Sequence, residues 1–133
     1  MATLPTEVAG ISLDGVQIVD ESLWVGHAVD DVLATLGKRR SDATSVFRYG
    51  GQIYIGAMTV SQVTGEALLE ACVQAWDAAA VIQRDEITIA GKTGWELTER
   101  HRDSLTFFYQ LGDVVYVAWS DSRPLKAVIA DMP

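Results

Sequence analysis

Tight turns between apolar-rich segments recur along this chain and constrain its fold more than any other feature. The turn sequences are Asp14-Gly15, Gly50-Gly51, Gly91-Lys92-Thr93-Gly94 and Gly112-Asp113. Strands joined by turns this short must run antiparallel, because a parallel connection needs a crossover of a dozen or more residues. The sequence therefore excludes a doubly wound parallel sheet and predicts an antiparallel one.

The segments between these turns have the patterns of β-strands. Alternation is clearest in 105–111, where Phe107 and Tyr109 share one face and Phe108 takes the other. Residues 53–60 are almost continuously apolar, which is typical of a central strand. The predicted strands are a hairpin over 11–19, then 45–49, 53–60, 86–90, 95–99, 105–111 and 114–119.

Three segments instead show apolar residues at helical spacing. The first covers 28–36 and ends before Gly37. The second covers 64–80 with Thr64 as its N-cap, and the third is capped by Ser122 and extends to Met132. We therefore predict one α+β domain over residues 1–133, a twisted antiparallel sheet with about three helices packed mainly on one face, and a flexible leader at 1–6.

Charge and cysteine content exclude several classes of partner and scaffold. The net charge of −8 repels phosphate backbones, so we expect no nucleic-acid partner. The basic run 38–40 is interpreted either as solvated surface or as an intramolecular or oligomer contact with the acidic first third of the chain. Cys72 is the only cysteine, which excludes an intrachain disulfide, and no apolar run is long enough for a transmembrane helix.

No group of residues has the spacing of a catalytic or metal site. His101-Arg102-Asp103 is followed by Ser104, but neighbouring strand residues point to opposite faces and cannot form a nucleophilic triad. Gly91-Lys92-Thr93-Gly94 lacks the earlier glycine and the helix of a phosphate loop. We expect no catalytic residue, no metal and no cofactor.

Aromatic residues provide the only indication of binding. Trp76 and Trp119 are expected in the core, whereas Trp24 and Trp95, beside turns and acids, are expected to be partly exposed. A groove between the helices and the sheet is the default site for a ligand or partner. The candidate binding residues are Trp24, Trp95, Tyr54, Tyr109 and His101.

The opening segment Leu4-Pro5-Thr6-Glu7-Val8-Ala9-Gly10, the hairpin–helix order and the closing helix at 125–133 together form a recognisable pattern. The chain resembles an uncharacterised bacterial α+β domain of exported proteins and lipoproteins, in which a Leu-Pro-x-Glu-Val-x-Gly segment opens the folded part. The resemblance implies export, although this sequence has no signal or lipobox of its own. It implies no activity and no site residues.

These observations favour a non-catalytic interaction domain that binds another protein or a second copy of itself. It would be extracytoplasmic if the native chain carries an upstream signal, and cytoplasmic otherwise. One alternative is a small cytosolic α+β enzyme or ligand carrier, with a pocket between sheet and helices at Tyr54, Tyr109 or His101. The other alternative is a structural subunit of a homo-oligomer.

Overall fold

A computed structural model describes residues 4–13, 15–18, 29–79, 81–99, 105–120 and 125–133. Two short strands open the described chain, β1 (Glu7–Val8) and β2 (Ile11–Ser12). The remaining strands are β3 (Gly15–Ile18), β4 (Ala43–Gly50), β5 (Ile53–Val60), β6 (Val81–Ile89), β7 (Lys92–Glu99), β8 (Leu105–Leu111) and β9 (Val114–Ser120). The helices are α1 (Val29–Thr35), α2 (Gly65–Ala79) and α3 (Leu125–Ala130), with a short 3-10 helix at Arg40–Asp42.

Seven strands form one antiparallel sheet in the order β3-β4-β5-β9-β8-β7-β6, and β1 and β2 form a separate pair. Strands β5 and β9 lie in the middle, where Tyr54 is opposite Trp119 and Ile55 is opposite Ala118. The near-continuous apolar sequence of β5 therefore reflects burial on both of its faces, as the sequence predicted. The α+β class and the antiparallel sheet are confirmed.

Each face of the sheet is covered by its own hydrophobic cluster. The first cluster joins α1 and α2 to the sheet through residues such as Leu33, Cys72 and Phe108. The second joins α3 and the β1–β2 pair to the opposite face through residues such as Val8, Phe107 and Ile129. Two of the three helices thus share one face, while α3 packs on the other with the β1–β2 pair.

Within the described residues no helix has the length and apolar character needed to cross a membrane.

Two of the three helix ends predicted from capping residues are confirmed, and the third, at Ser122, lies outside the described residues. Thr64 Oγ1 accepts a hydrogen bond from the backbone N–H of Ala67 at 3.2 Å, so Thr64 caps the N-terminus of α2. Gly37 follows α1 with φ of 67°, and the backbone N–H of Lys38 donates to Leu33 O at 2.8 Å. This is the glycine-terminated helix end that the sequence indicated.

The basic run 38–40 contacts the acidic first third of the chain through Arg40, as one of the two interpretations expected. Arg40 Nε and one of its terminal nitrogens donate to the two carboxylate oxygens of Asp30, each at 2.8 Å. Asp30 lies in the first turn of α1, so this bidentate pair joins the acidic first third of the chain to the basic segment. Both side chains are largely exposed, and the pair contributes less than about 1 kcal/mol.

The predicted hairpin over 11–19 is wrong. Strand β2 pairs with β1, and β3 pairs with β4, so β2 and β3 do not pair with each other. The turn of the first hairpin is Ala9-Gly10, where both residues have positive φ, 51° and 78°. That is the backbone of a type I′ turn, in which alanine is uncommon, so this turn does not have the usual sequence pattern. Asp14 lies outside the described residues.

Two further turns are displaced from their predicted positions. The β4–β5 turn is Gly51-Gln52 and the β6–β7 turn is Ala90-Gly91, again with positive φ at both central residues. Gly94, predicted to be in a turn, lies inside β7 instead. A Cβ at Gly94 would collide with the carbonyl oxygen of Phe108 on β8. This glycine is therefore explained by the close approach of a neighbouring strand.

Candidate functional site

Three aromatic side chains form a row across the adjacent strands β4, β5 and β9. Tyr49 is the register partner of Tyr54, and Tyr54 is the partner of Trp119. Because strand side chains alternate between faces, all three lie on the face that also holds Phe47 and Phe108. We call Tyr49, Tyr54 and Trp119 the aromatic row.

The rings of the aromatic row contact one another and remain open to solvent. Tyr49 and Tyr54 are stacked with centroids 5.7 Å apart and an interplanar angle of 25°. Tyr54 and Trp119 are 5.1 Å apart and tilted by 59°. Tyr49 is 39% exposed, and the other two are partly exposed. The row therefore brings three partly exposed aromatic side chains with polar groups together, which suits interfaces that are part apolar and part wet.

Next to the aromatic row is a buried polar atom for which the described residues supply no hydrogen-bond partner. Thr106 is the register partner of Trp119 on the other side, so its side chain extends the same line of residues. Thr106 is 1% exposed, and its Oγ1 has no hydrogen-bond partner among the described residues. A buried hydroxyl left unpaired costs about 1–3 kcal/mol, which calls for an explanation in a folded protein.

A second aromatic contact lies on the same face, at the β6–β7 edge. The Arg84 guanidinium carbon is 5.2 Å from the centroid of the Trp95 ring, which is cation–π distance. Trp95 is partly exposed and also packs against the first hydrophobic cluster. It was predicted as a binding residue, but its ring already contacts a cation of its own chain.

Tyr109, also predicted as a binding residue, is a core residue. It is 1% exposed and stacks on Tyr116 with centroids 5.1 Å apart. Its hydroxyl donates to the backbone carbonyl oxygen of Pro133 at 2.7 Å. Burial and the neighbouring Tyr116 raise the pKa of Tyr109 above its usual value. Tyr109 therefore binds the end of the chain rather than presenting a ring to a partner.

The five predicted site residues do not converge. Tyr54 and Tyr109 lie on opposite faces of the sheet, so one pocket cannot combine them. Trp24 and His101 lie outside the described residues. Of the predicted set, Tyr54 alone belongs to the aromatic row.

Trp119 was expected in the core and is instead partly exposed, because it lies near the end of β9 rather than at its centre. Tyr49, Trp119 and Thr106 are therefore the site residues that the sequence analysis did not identify. Combining the alternation in β4, β5 and β9 with their register would have found them, but the register was not predictable from the sequence. The side chain of Trp76 lies outside the described part of α2.

Titratable groups elsewhere show burial effects without forming a reactive cluster. Burial raises the pKa of the Cys72 thiol to about 12, so it stays protonated at neutral pH. The pKa of Glu96 is raised by burial and by Asp85, its register partner across β6 and β7. Among residues of the described ranges, no group of three or more His, Cys, Asp or Glu side chains is arranged to hold a metal ion.

Comparison with known proteins adds no assignment. The sequence matches no protein-family model, and a search of curated proteins returned no match. The resemblance to a bacterial domain of exported proteins therefore stays a prediction.

Proposed function

We propose that this protein is a non-catalytic binding domain that engages a protein partner through the aromatic row. The observation that carries the proposal is the partial exposure of three adjacent rings on a sheet that already has a core on each face. Tyrosine and tryptophan supply large contact area with few rotatable bonds, and both are enriched among the residues that dominate binding energy.

The position of the row on the sheet supports this role. Tyr54 and Trp119 belong to β5 and β9, the two central paired strands, so their backbones are held by ladders on both sides. Side chains on such strands are placed more precisely than side chains on loops. A partner would therefore meet rings whose positions are fixed before binding, which lowers the entropy lost on association.

Thr106 lies next to the row but does not extend it to solvent. Its hydroxyl, unpaired within the described residues, lies beside Trp119 on the β8 side of the row. Valine would fill nearly the same volume without the cost of an unpaired polar atom. Because this oxygen is buried, it cannot contact a partner docked on the row, so the hydroxyl is a stability cost next to the site and not a binding group.

A peptide-display selection on the immobilised protein tests this function. Tyr49→Ala removes the most exposed ring of the row, and Leu111→Ala is the matched control, because Leu111 is 56% exposed on the opposite face. We expect selected peptides to bind the wild type and the Leu111→Ala protein equally, and the Tyr49→Ala protein about tenfold more weakly. Selected peptides that bind all three proteins equally would refute the aromatic row as the binding site.

The proposed location of this partner is outside the cytoplasm. It rests on the resemblance of the segment Leu4–Gly10 to the opening of exported bacterial domains. Fractionation of cells that express the native gene with an epitope tag tests the location. Recovery in the extracytoplasmic fraction is expected, and recovery with cytoplasmic markers alone would contradict it.

A further inference from the structure

We propose that the aromatic row receives arginine side chains from a basic segment of its partner. This inference rests on the proposed function and specifies the chemistry of the partner. Its basis is the ring surface itself, the net charge of the chain and the one arginine–tryptophan contact that the described structure contains.

The ring surface of the row suits a flat cation. The faces of tyrosine and tryptophan rings carry negative electrostatic potential, so a guanidinium placed over them is attracted as well as stacked. Tyr49 and Tyr54 are stacked within 25° of parallel, whereas the Trp119 ring is tilted by 59° against Tyr54. Tyr49, at the end of the row and 39% exposed, is the ring most accessible to a planar guanidinium, which can stack on it, whereas a lysine ammonium acts only as a point charge.

The same face of the sheet already contains such a pair. Arg84 lies over Trp95 with 5.2 Å between the guanidinium carbon and the ring centroid. No corresponding contact from a lysine or arginine of the described ranges is recorded for Tyr49, Tyr54 or Trp119. An arginine from a partner would therefore make at the row the contact that Arg84 makes at Trp95.

The net charge of the chain favours a basic segment over the other possible occupants of the row. At −8 the chain attracts basic segments over distances up to about the Debye length of 8–10 Å. A second copy of the chain would carry the same negative charge and would be repelled. A neutral peptide would gain ring stacking but no electrostatic attraction. A basic, arginine-bearing segment gains both.

Calorimetric titration with defined peptides tests the proposal. The probes are the capped peptide Gly-Arg-Gly-Arg-Gly and its counterpart with citrulline, which keeps the planar shape but is neutral. The proteins are the wild type, Tyr49→Phe, Tyr49→Leu and Leu111→Ala. Tyr49→Phe keeps the ring and Tyr49→Leu removes it at a side chain that is 39% exposed, so both variants should fold.

We expect the arginine peptide to bind the wild type at least about threefold more tightly than the citrulline peptide, as one cation–π contact predicts. Tyr49→Phe and Leu111→Ala should keep this preference, and Tyr49→Leu should lose it. The preference should persist at about 150 mM salt, where attraction by the net charge alone is largely screened.

Four outcomes overturn the proposal. They are equal binding of the two peptides, an arginine preference that survives Tyr49→Leu, binding of neither peptide at about 1 mM, and a concentration-dependent dimer of the wild type that Tyr49→Leu abolishes. In all four cases the proposed function stands if display-selected peptides still require Tyr49. If those peptides bind equally well with and without the Tyr49 ring, the proposed function fails together with this inference.

Discussion

Thr106 and Trp119 are register partners on β8 and β9, and their side chains share one face of the sheet although only the tryptophan reaches solvent. Trp119 in turn contacts the Tyr54 ring at 5.1 Å. The pair therefore links an exposed aromatic surface to a buried hydroxyl without a described partner.

The hydroxyl of Thr106 is expected to cost stability. Thr106→Val removes it at nearly constant volume and should raise the free energy of unfolding by about 1 kcal/mol. Urea denaturation followed by circular dichroism measures the change. Thr106→Ser is the control, because it keeps the hydroxyl, loses a methyl group and should destabilise the protein. A Thr106→Val protein that is less stable than the wild type would mean that the hydroxyl has a partner in the folded chain.

Tyr109 predicts how stability depends on alkaline pH. Burial, with a contribution from Tyr116, raises the pKa of Tyr109 in the folded protein above the unfolded value of about 10. Folding therefore favours the neutral phenol. The stability that this preference contributes is complete below about pH 10 and is lost as pH rises toward the raised pKa. Unfolding free energies measured from about pH 8 to 11 should fall less steeply for Tyr109→Phe than for the wild type. If the unfolding free energies of the two proteins fall equally with rising pH, the raised pKa of Tyr109 is not the cause of the decline.

The same substitution has an effect at neutral pH. Tyr109→Phe removes the hydrogen bond to the Pro133 carbonyl oxygen and should lower the free energy of unfolding by about 1 kcal/mol. Hydrogen exchange should then be faster at Asp131 and Met132, whose backbone N–H groups donate to Val128 and Ile129 at the end of α3. Unchanged exchange there would show that this hydrogen bond does not hold the end of the chain.

Glu96 and Asp85 are opposite each other in β7 and β6, and two like charges in that arrangement are unfavourable. Burial first, and Asp85 second, raise the pKa of Glu96, so protonation of Glu96 favours the folded state. Glu96→Gln should therefore increase stability at pH 7 by at most about 0.5 kcal/mol after solvent screening. The gain should shrink as pH falls through the raised pKa of Glu96 and should vanish below about pH 4, where the carboxyl is neutral in both the folded and the unfolded wild type. A gain that does not change with pH would indicate a packing effect.

Replacing Gly94 with alanine, the smallest possible substitution, is expected to destabilise the folded protein strongly. In Gly94→Ala the new methyl group meets the Phe108 carbonyl oxygen, so β7 and β8 must separate and about 2–3 kcal/mol of stability is expected to be lost. Gly91→Ala is the control, since its Cβ has no atom within 4 Å and only the positive φ of 80° is strained. That strain costs about 1–2 kcal/mol. Thermal unfolding should rank Gly94→Ala as the less stable variant, and the reverse order would contradict the close approach.

Local sequence patterns identified most of the strands, the helices and two of the helix caps, because those depend on residues close together in the chain. They missed β1 and the first half of β6. Thr64 and Gly37 are recognisable from a few neighbours. The first hairpin was misplaced because Ala9-Gly10 adopts a type I′ turn that alanine rarely enters. The aromatic row was missed for a different reason. Its members come from β4, β5 and β9, and the pairing of β5 with β9 joins residues more than 50 positions apart, which no local pattern encodes.

The most direct test of the aromatic row compares two indole groups of one protein by NMR. In ¹⁵N-labelled protein, Trp119→Phe and Trp95→Phe identify the indole N–H signals of these two residues. Addition of display-selected peptides should shift the Trp119 signal and leave that of Trp95, already covered by Arg84, nearly unchanged. A shift at Trp95 with none at Trp119 would place the binding surface elsewhere and contradict the account.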